Sequence, residues 1–307
     1  MKQRLDMPAI LLLTFCCALW GLAQVSVKLA VTDIPPVMLG ALRSIGAALL
    51  VAGSAAATGQ KLYARDGTLG SGILAGLLFA AEFVVMYRAI ELASASRTVL
   101  FVYSAPVFVA LGAHWFVPGE RLRAVQGAGL AACLLGIAAG FADAADFSDQ
   151  HEIEGDALAM VSALLWAATT VVIKAGPLAR AASTRTLNFQ LVVSALALPL
   201  ASLAGGEHWA IHPGRVALAA LAYNTVVVAW LSYLGWFWLM RRYPAGRLSS
   251  FTFLTPLFGA LFGKLILGER LSGRLGLALV LVSLGIYLVN RPGLPSAPPE
   301  GNAAPRT

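Results

Sequence analysis

Charge is scarce in this chain: only 12% of its 307 residues are Asp, Glu, Lys or Arg, while 59% are apolar. A water-soluble domain carries about a quarter charged residues and about half apolar ones, so a soluble fold is excluded for want of polar surface. Cysteine is nearly absent too. Cys16, Cys17 and Cys133 all lie within apolar runs and lack the spacing of a metal site, so they read as small hydrophobes and report nothing about redox compartment. The motifs of enzyme chemistry are missing as well. "HEIEG" at 151–155 is not a zinc-binding HExxH, no glycine-rich phosphate loop occurs, and no deep Ser, His and Asp set could form a nucleophile triad. These absences weigh against a membrane enzyme, and no cofactor or metal is expected.

What is present is hydrocarbon. Mean hydropathy is +0.78, and apolar runs fall at 8–30, 36–58, 69–90, 98–117, 124–141, 157–173, 187–203, 216–240, 248–267 and 275–289. A helix crossing a bilayer needs about 20 largely apolar residues, and backbone in lipid must satisfy its own hydrogen bonds, so ten transmembrane helices are expected in an all-α membrane protein. The opening "MKQRLDMPAILLLTFCCALWGLA" imitates a secretory signal peptide, but its apolar run is too long and further runs follow. It is read as the first span.

The sequence repeats itself. "CALWGLAQVSVKLA" (17–30) reappears 146 positions later as "ALLWAATTVVIKAG" (163–176), placing Trp20 on Trp166 and Lys28 on Lys174. "RTVLFVYSAPVF" (97–108) matches "RLSSFTFLTPLF" (247–258), with Arg97 on Arg247, Phe101 on Phe251 and Pro106 on Pro256. "GERL" occurs at 119–122 and 268–271, and Gly127, Leu135, Gly136 and Ile137 match Gly276, Leu284, Gly285 and Ile286. The matched words keep their order. Each copy holds five segments, an odd number, so the second must enter the membrane from the opposite side, giving an inverted-topology repeat. The expected division is a first repeat over 1–142, an acidic external linker over 143–156, a second repeat over 157–291, and a proline-rich disordered tail over 292–307.

Basic residues set the orientation. With the N-terminus inside, Lys2, Arg4, Lys61, Arg65, Arg121, Arg123, Lys174, Arg180, Arg185, Arg241, Arg242, Arg247, Arg291 and Arg306 are cytoplasmic. Only Lys28, Arg88, Arg97, Arg215, Arg270 and Arg274 fall outside, so both termini are expected in the cytoplasm. The net charge of +7 then reflects topology and attraction to anionic lipid, with no nucleic-acid partner.

On Trp20 and Trp166, Arg43, "APVF" and "TPLF", and the twin "GERL", the chain resembles the drug/metabolite transporter superfamily, within it the EamA-type ten-helix exporters, over residues 8–290. The resemblance implies a central cavity built by the inner helices of both halves, peripheral segments 5 and 10, and a bacterial inner (plasma) membrane location. It also implies export of amino acids or related metabolites, similar to bacterial exporters that carry aromatic and other amino acids. Phosphate-sugar members place basic residues deep in segments 4 and 9. Here the corresponding pair is His114 and Lys264, near segment ends, which argues against an organophosphate cargo.

Candidate site residues follow from depth and spacing. Trp20, Trp166 and Trp230 lie too deep for headgroup tryptophans, unlike Trp115, Trp209, Trp236 and Trp238. Cys16, Trp20 and Gln24 share one face of segment 1, as Ser162, Trp166 and Thr170 share one face of segment 6. These faces are either helix–helix packing or mirrored walls of one cavity. Tyr223, Trp230, Tyr233 and Phe237 on segment 8 join them, with Phe79 and Phe83 on segment 3, Tyr103 on segment 4, and Phe251 and Thr255 on segment 9. Aromatic rings with a few polar handles suit a mostly apolar pocket for small amphipathic solutes, with broad specificity.

Pro106 and Pro256 each free a carbonyl, those of Val102 and Thr252, and mark either hinges or packing kinks. Arg43 and Glu82 lie at equal depth, about 10–12 Å below the outer surface. They read as a structural ion pair; alternatively Glu82 couples export to protons, or Arg43 meets a substrate carboxylate. Lys264 either snorkels or, like His114, contacts a carboxylate or gate. Glu120 and Glu269 are expected to cap segments 5 and 10 or bridge to arginines.

The leading expectation is a secondary exporter of aromatic and other amphipathic amino acids, working by alternating access. Multidrug, nucleoside or sugar efflux on the same fold is the alternative. Small four-helix multidrug relatives use a deep glutamate in their first helix, where this chain has Gln24. A channel would require a continuous polar stripe, and the deep positions here are aromatic.

Overall fold

The computed structural model describes residues 5–93, 98, 101–140, 150–268 and 273–291. Arg97, Glu269, Arg270, linker residues 143–149 and the tail 292–307 lie outside the described residues. The described residues form helices and turns and no strands. In chain order the helices are α1 (Met7–Ala30), α2 (Pro36–Ala57), α3 (Thr68–Leu92), α4 (Ala105–Phe116) and α5 (Ala124–Gly140). They continue with α6 (Gln150–Ala175), α7 (Ser183–Ala204), α8 (Arg215–Met240), α9 (Ala245–Leu267) and α10 (Leu275–Asn290). Seven are long and apolar enough to cross a membrane; α4, α5 and α10 are shorter apolar helices.

Their ends follow from local chemistry. Asp6 caps α1 by accepting the Ala9 N–H at 3.1 Å, with Pro8 in the first turn, where its missing N–H costs nothing. Helix α6 begins at Gln150, inside the stretch expected as linker: Glu152 stands in its first turn, where the helix dipole favours a carboxylate. Two caps come from across the fold. Glu207, before α8, accepts the Val37 and Met38 N–H groups at the start of α2 (2.9 and 2.8 Å), while Asp33, before α2, accepts Gly214 N–H at the start of α8 (2.8 Å).

Helices pair across the two halves of the chain. The pairs are α1 with α9, α4 with α6, α2 with α7, α3 with α7, α2 with α8, α3 with α6, α1 with α8, α4 with α9 and α5 with α10. Exchanging α1–α5 for α6–α10 maps this set of pairs onto itself. Small residues allow the closest crossings, as expected where lipid supplies no hydrophobic drive and contact area must hold helices together. A Cβ on Gly21 would come within 2.6 Å of Phe258 Cβ, and one on Gly285 would run into Cys133 Sγ and the Gly129 carbonyl. Gly136 and Gly285, matched in sequence, thus both serve the α5–α10 contact. The three cysteines are free and buried.

Two helices depart from regular winding. Residues Asn224–Ser232 of α8 form a π-helical stretch, which rotates the residues on either side of it relative to a plain α-helix. Helix α9 breaks at Thr252–Phe253, and a matching turn at Tyr103–Ser104 precedes α4. Both breaks fall in the turn before the matched prolines, because each proline lacks the N–H that would bond the carbonyl four residues back and its ring crowds that carbonyl. The Thr252 carbonyl, expected free, accepts Thr255 N–H at 3.0 Å in a tight turn.

Candidate functional site: an aromatic seam and a buried charge cluster

The largest buried cluster gathers rings from both halves. Trp20 meets Tyr233 and Trp236 edge-on, with centroids 6.2 and 5.5 Å apart. Phe79 contacts Phe83 at 5.0 Å, Tyr233 at 6.0 Å and Trp166 at 6.5 Å. The two matched tryptophans, each half-buried, therefore close on a common group of rings instead of facing outward. A void of about 10 Å³ lies among Phe79, Trp166, Thr170, Gln190, Tyr233 and Phe237. That is room for about one water, so the seam is packed shut here.

Polar handles run along it. Trp20 Nε1 donates to Ser232 Oγ at 2.8 Å, and Ser232 donates to the Val228 carbonyl at 2.6 Å within the π stretch. Gln24 Nε2 donates to Tyr103 Oη at 2.7 Å, with Thr255 beside that phenol. Tyr223 donates to the Leu19 carbonyl at 2.9 Å. Phe251 and Thr255 are buried, and Phe251 belongs to the same apolar cluster. The Trp230 Nε1 and Thr255 Oγ1 atoms find no hydrogen-bond partner among the described residues. The face carrying Cys16, Trp20 and Gln24 therefore turns toward α8, α4 and α9, and the face carrying Ser162, Trp166 and Thr170 turns toward α3.

Beside the rings stands a charge cluster. Arg43 and Glu82 are 6% and 5% exposed. Among the described residues no ion pair joins them. The Arg43 guanidinium instead lies 4.2 Å over the Phe83 ring and adjoins the Tyr233 hydroxyl, while Ser162 Oγ donates to Glu82 Oε1 at 3.3 Å. Arg43 Nε and Nη2 and Glu82 Oε2 are buried without partners among the described residues.

Other expected positions lie apart. Lys264 is exposed on α9, where a long side chain can reach the interface. His114 Nδ1 accepts Leu122 N–H at 2.9 Å and so orders the turn between α4 and α5. Trp236, expected at the headgroups, is 3% exposed and packs edge-on against Trp20. Trp115 and Trp238 do face outward, the latter under the Arg242 guanidinium at 3.7 Å.

Glu120, expected as a helix cap, reaches further. It pairs with Lys174 of α6 at 3.6 Å and accepts Ala245 N–H of α9 at 2.6 Å. Lys174 also donates to the carbonyls of Met240 and Tyr243 at the end of α8. Burial pushes the Glu120 carboxyl above the ordinary carboxylate range, and the Lys174 charge pulls it partly back. The latch closes the end of the molecule that holds the α4–α5 turn, next to a cavity of about 430 Å³ lined by Glu120, Arg121, Arg123, Gln126 and Arg247. Sequence signalled it only through the repeated "GERL" and the repeated lysine. Among the described residues no group of three or more His, Cys, Asp or Glu could hold a metal ion.

Comparison with known proteins agrees with this architecture. The sequence model of the EamA-like transporter family matches twice, at residues 7–140 and 153–291. A "Probable amino-acid metabolite efflux pump" of Escherichia coli (strain K12) is 28% identical, aligned over 88% of this chain and 90% of its own. An "Uncharacterized transporter YoaV" of Bacillus subtilis (strain 168) is 23% identical over 88% and 92%. A solved crystal structure, 23% identical, superimposes with a TM-score of 0.76 over 92% of this chain and 98% of that one, a likeness of fold. The chain belongs to the EamA-like transporter family and is a multi-pass inner-membrane protein of the transporter and efflux-pump class.

Proposed function

We propose that this protein exports amphipathic amino acids, aromatic ones included, by alternating access through the seam between its two halves. In this reading α1–α5 and α6–α10 are inverted repeats that cross the membrane five times each, with both termini in the cytoplasm. The observation that carries it is a chain of ring contacts crossing between the halves, Trp20 to Tyr233, Tyr233 to Phe79 and Phe79 to Trp166, beside a small void. Trp20 and Trp166, matched in sequence, each pack on rings of the other half, as a site on a pseudo-twofold axis needs if either side is to open onto it. Further support comes from the pairing of helices, unchanged when the halves are exchanged, and from the family model matching once per half.

Cargo chemistry follows from the wall. Rings with indole, phenol and amide handles offer apolar area plus a few orienting hydrogen bonds, which favours a solute with one greasy and one polar end. The amino-acid efflux named for the Escherichia coli relative agrees with that preference. Pro106 and Pro256, each just after a break in its helix, are the hinge candidates for the rocking motion.

Purified protein in liposomes, given labelled amino acids, nucleosides and cationic drugs with and without a proton gradient, tests this directly. Saturable movement of phenylalanine or tryptophan is expected. Movement of drugs or nucleosides with no amino acid carried would refute the cargo. An imposed pH gradient applied to Glu82→Gln separates proton coupling from a structural role for that carboxylate.

A further inference from the structure

Arg43 and Glu82 present a chemical puzzle. Two opposite charges lie buried in one cluster, yet they do not pair, and each keeps unused hydrogen-bonding capacity. A buried ion without a partner is costly, so the arrangement calls for something that satisfies both. The free atoms specify what. Arg43 Nε and Nη2 are the two donors along one edge of the guanidinium, the edge that grips a carboxylate through two parallel hydrogen bonds. Its remaining face is already spent on the Phe83 ring and the Tyr233 hydroxyl. On the other side, Ser162 holds Glu82 Oε1 at 3.3 Å and leaves Oε2 as an open anionic acceptor suited to an ammonium group.

We infer that Arg43 and Glu82 form a zwitterion clamp, in which the Nε/Nη2 edge of Arg43 binds the α-carboxylate of a free amino acid and Glu82 Oε2 binds its α-ammonium. The inference rests on the amino-acid reading above and deepens it by naming the headgroup contacts. The side chain of the bound solute then lies along the neighbouring rings: Phe83 carries Arg43 on its face, Phe79 touches Phe83, and Phe79 also touches Trp166. Specificity is divided accordingly. The headgroup is read by two charges of opposite sign, strictly, and the side chain by apolar area, loosely. A solute carrying only one of the two charges leaves the other buried ion unmatched and is rejected, because a site built to bond a group discriminates strongly against analogues that lack it.

The clamp also explains the gap between the charges. A direct Arg43–Glu82 pair would compete with substrate for both partners. Engaging Arg43 with an aromatic face and a phenol, and Glu82 with a serine, keeps each oriented without satisfying it.

Competition for uptake of labelled L-phenylalanine into proteoliposomes separates the two halves of the clamp. 2-Phenylethylamine lacks the carboxylate and 3-phenylpropionate lacks the ammonium. Both are expected to compete with wild type at least about tenfold less well than unlabelled L-phenylalanine. In Arg43→Lys, which keeps charge but loses the two-donor edge, L-phenylalanine should weaken by about tenfold and lose its advantage over the amine. In Glu82→Gln it should lose its advantage over the propionate. Ser162→Ala leaves both charges in place and should selectively relax discrimination against the propionate, which keeps the inference testable if a charge substitution fails to fold. A wild type that treats all three compounds alike, or folded variants that keep the wild-type order, would overturn the clamp while phenylalanine transport persists. Loss of the export reading itself looks different: no amino acid is carried by wild type at all.

Discussion

Replacing Lys174 by Met would remove its charge while keeping nearly the same length of side chain. Both members of the Lys174–Glu120 pair have side chains only 3% exposed, so solvent cannot take over the missing partner. Lys174→Met leaves Glu120 buried with only the Ala245 and Gly246 backbone N–H groups beside it and strips a donor from the carbonyls of Met240 and Tyr243. Removing one member of a buried pair costs about 3–5 kcal/mol, equivalent to roughly 5–8 °C in melting temperature for a protein of this size. Adding Glu120→Gln removes the stranded charge and should recover more than half of the loss. Acidity should help the single variant too. Burial already holds the Glu120 carboxyl above its ordinary range in the folded state, so the native protein binds that proton more tightly than the unfolded chain does. Stability from this group therefore declines as pH rises, and more steeply once the opposing lysine is gone. The assay is thermal unfolding of wild type, the two single variants Lys174→Met and Glu120→Gln, and the double variant in detergent across the acid to neutral range. A Lys174→Met protein within about 1 kcal/mol of wild type, or a double variant no better than the single, would refute the reasoning.

Three further outcomes follow from the packing. Gly21→Leu should force α1 from α9, because even a Cβ there meets Phe258 Cβ at 2.6 Å and the Gly259 backbone nitrogen at 2.7 Å, and should destabilise by at least about 1–3 kcal/mol; Gly53→Leu, with nothing within 4 Å, should stay within about 0.5 kcal/mol. Glu207→Gln should lower stability by about 1 kcal/mol in the same assay by weakening the cap on α2, with transport specificity unchanged. Trp20→Phe keeps the ring contacts but abandons the bond to Ser232, so uptake in proteoliposomes should fall several-fold while Trp238→Phe, on the outer surface, leaves uptake unchanged.

Much of this was legible in the sequence because lipid simplifies the code. Helix positions follow from apolar length, and the repeated words around Trp20 and Trp166 point to residues that the structure does bring to one ring cluster. What escaped was whatever depends on which helix abuts which. The Glu207 and Asp33 caps join residues more than 160 positions apart, and nothing near either acid announces its partner. Trp236 looked interfacial by count along its helix, and it is buried edge-on against Trp20 of another helix. Glu120 looked like a local cap because its sequence neighbours suit one; its partners Lys174 and Ala245 come from other helices. Arg43 and Glu82 were placed at matching depth, and only the rings and hydroxyls around them explain why they stand apart.

The central claim is that solute passes through the seam between the halves. Thr170→Cys, in a chain with Cys16, Cys17 and Cys133 replaced, puts a single thiol at the small void of that seam. Its rate of modification by a small membrane-impermeant thiol reagent, applied from each side of oriented vesicles, is the measurement. The account expects labelling from both sides, slowed from both by L-phenylalanine. A thiol that never reacts, or one whose rate from either side ignores the amino acid, would contradict it.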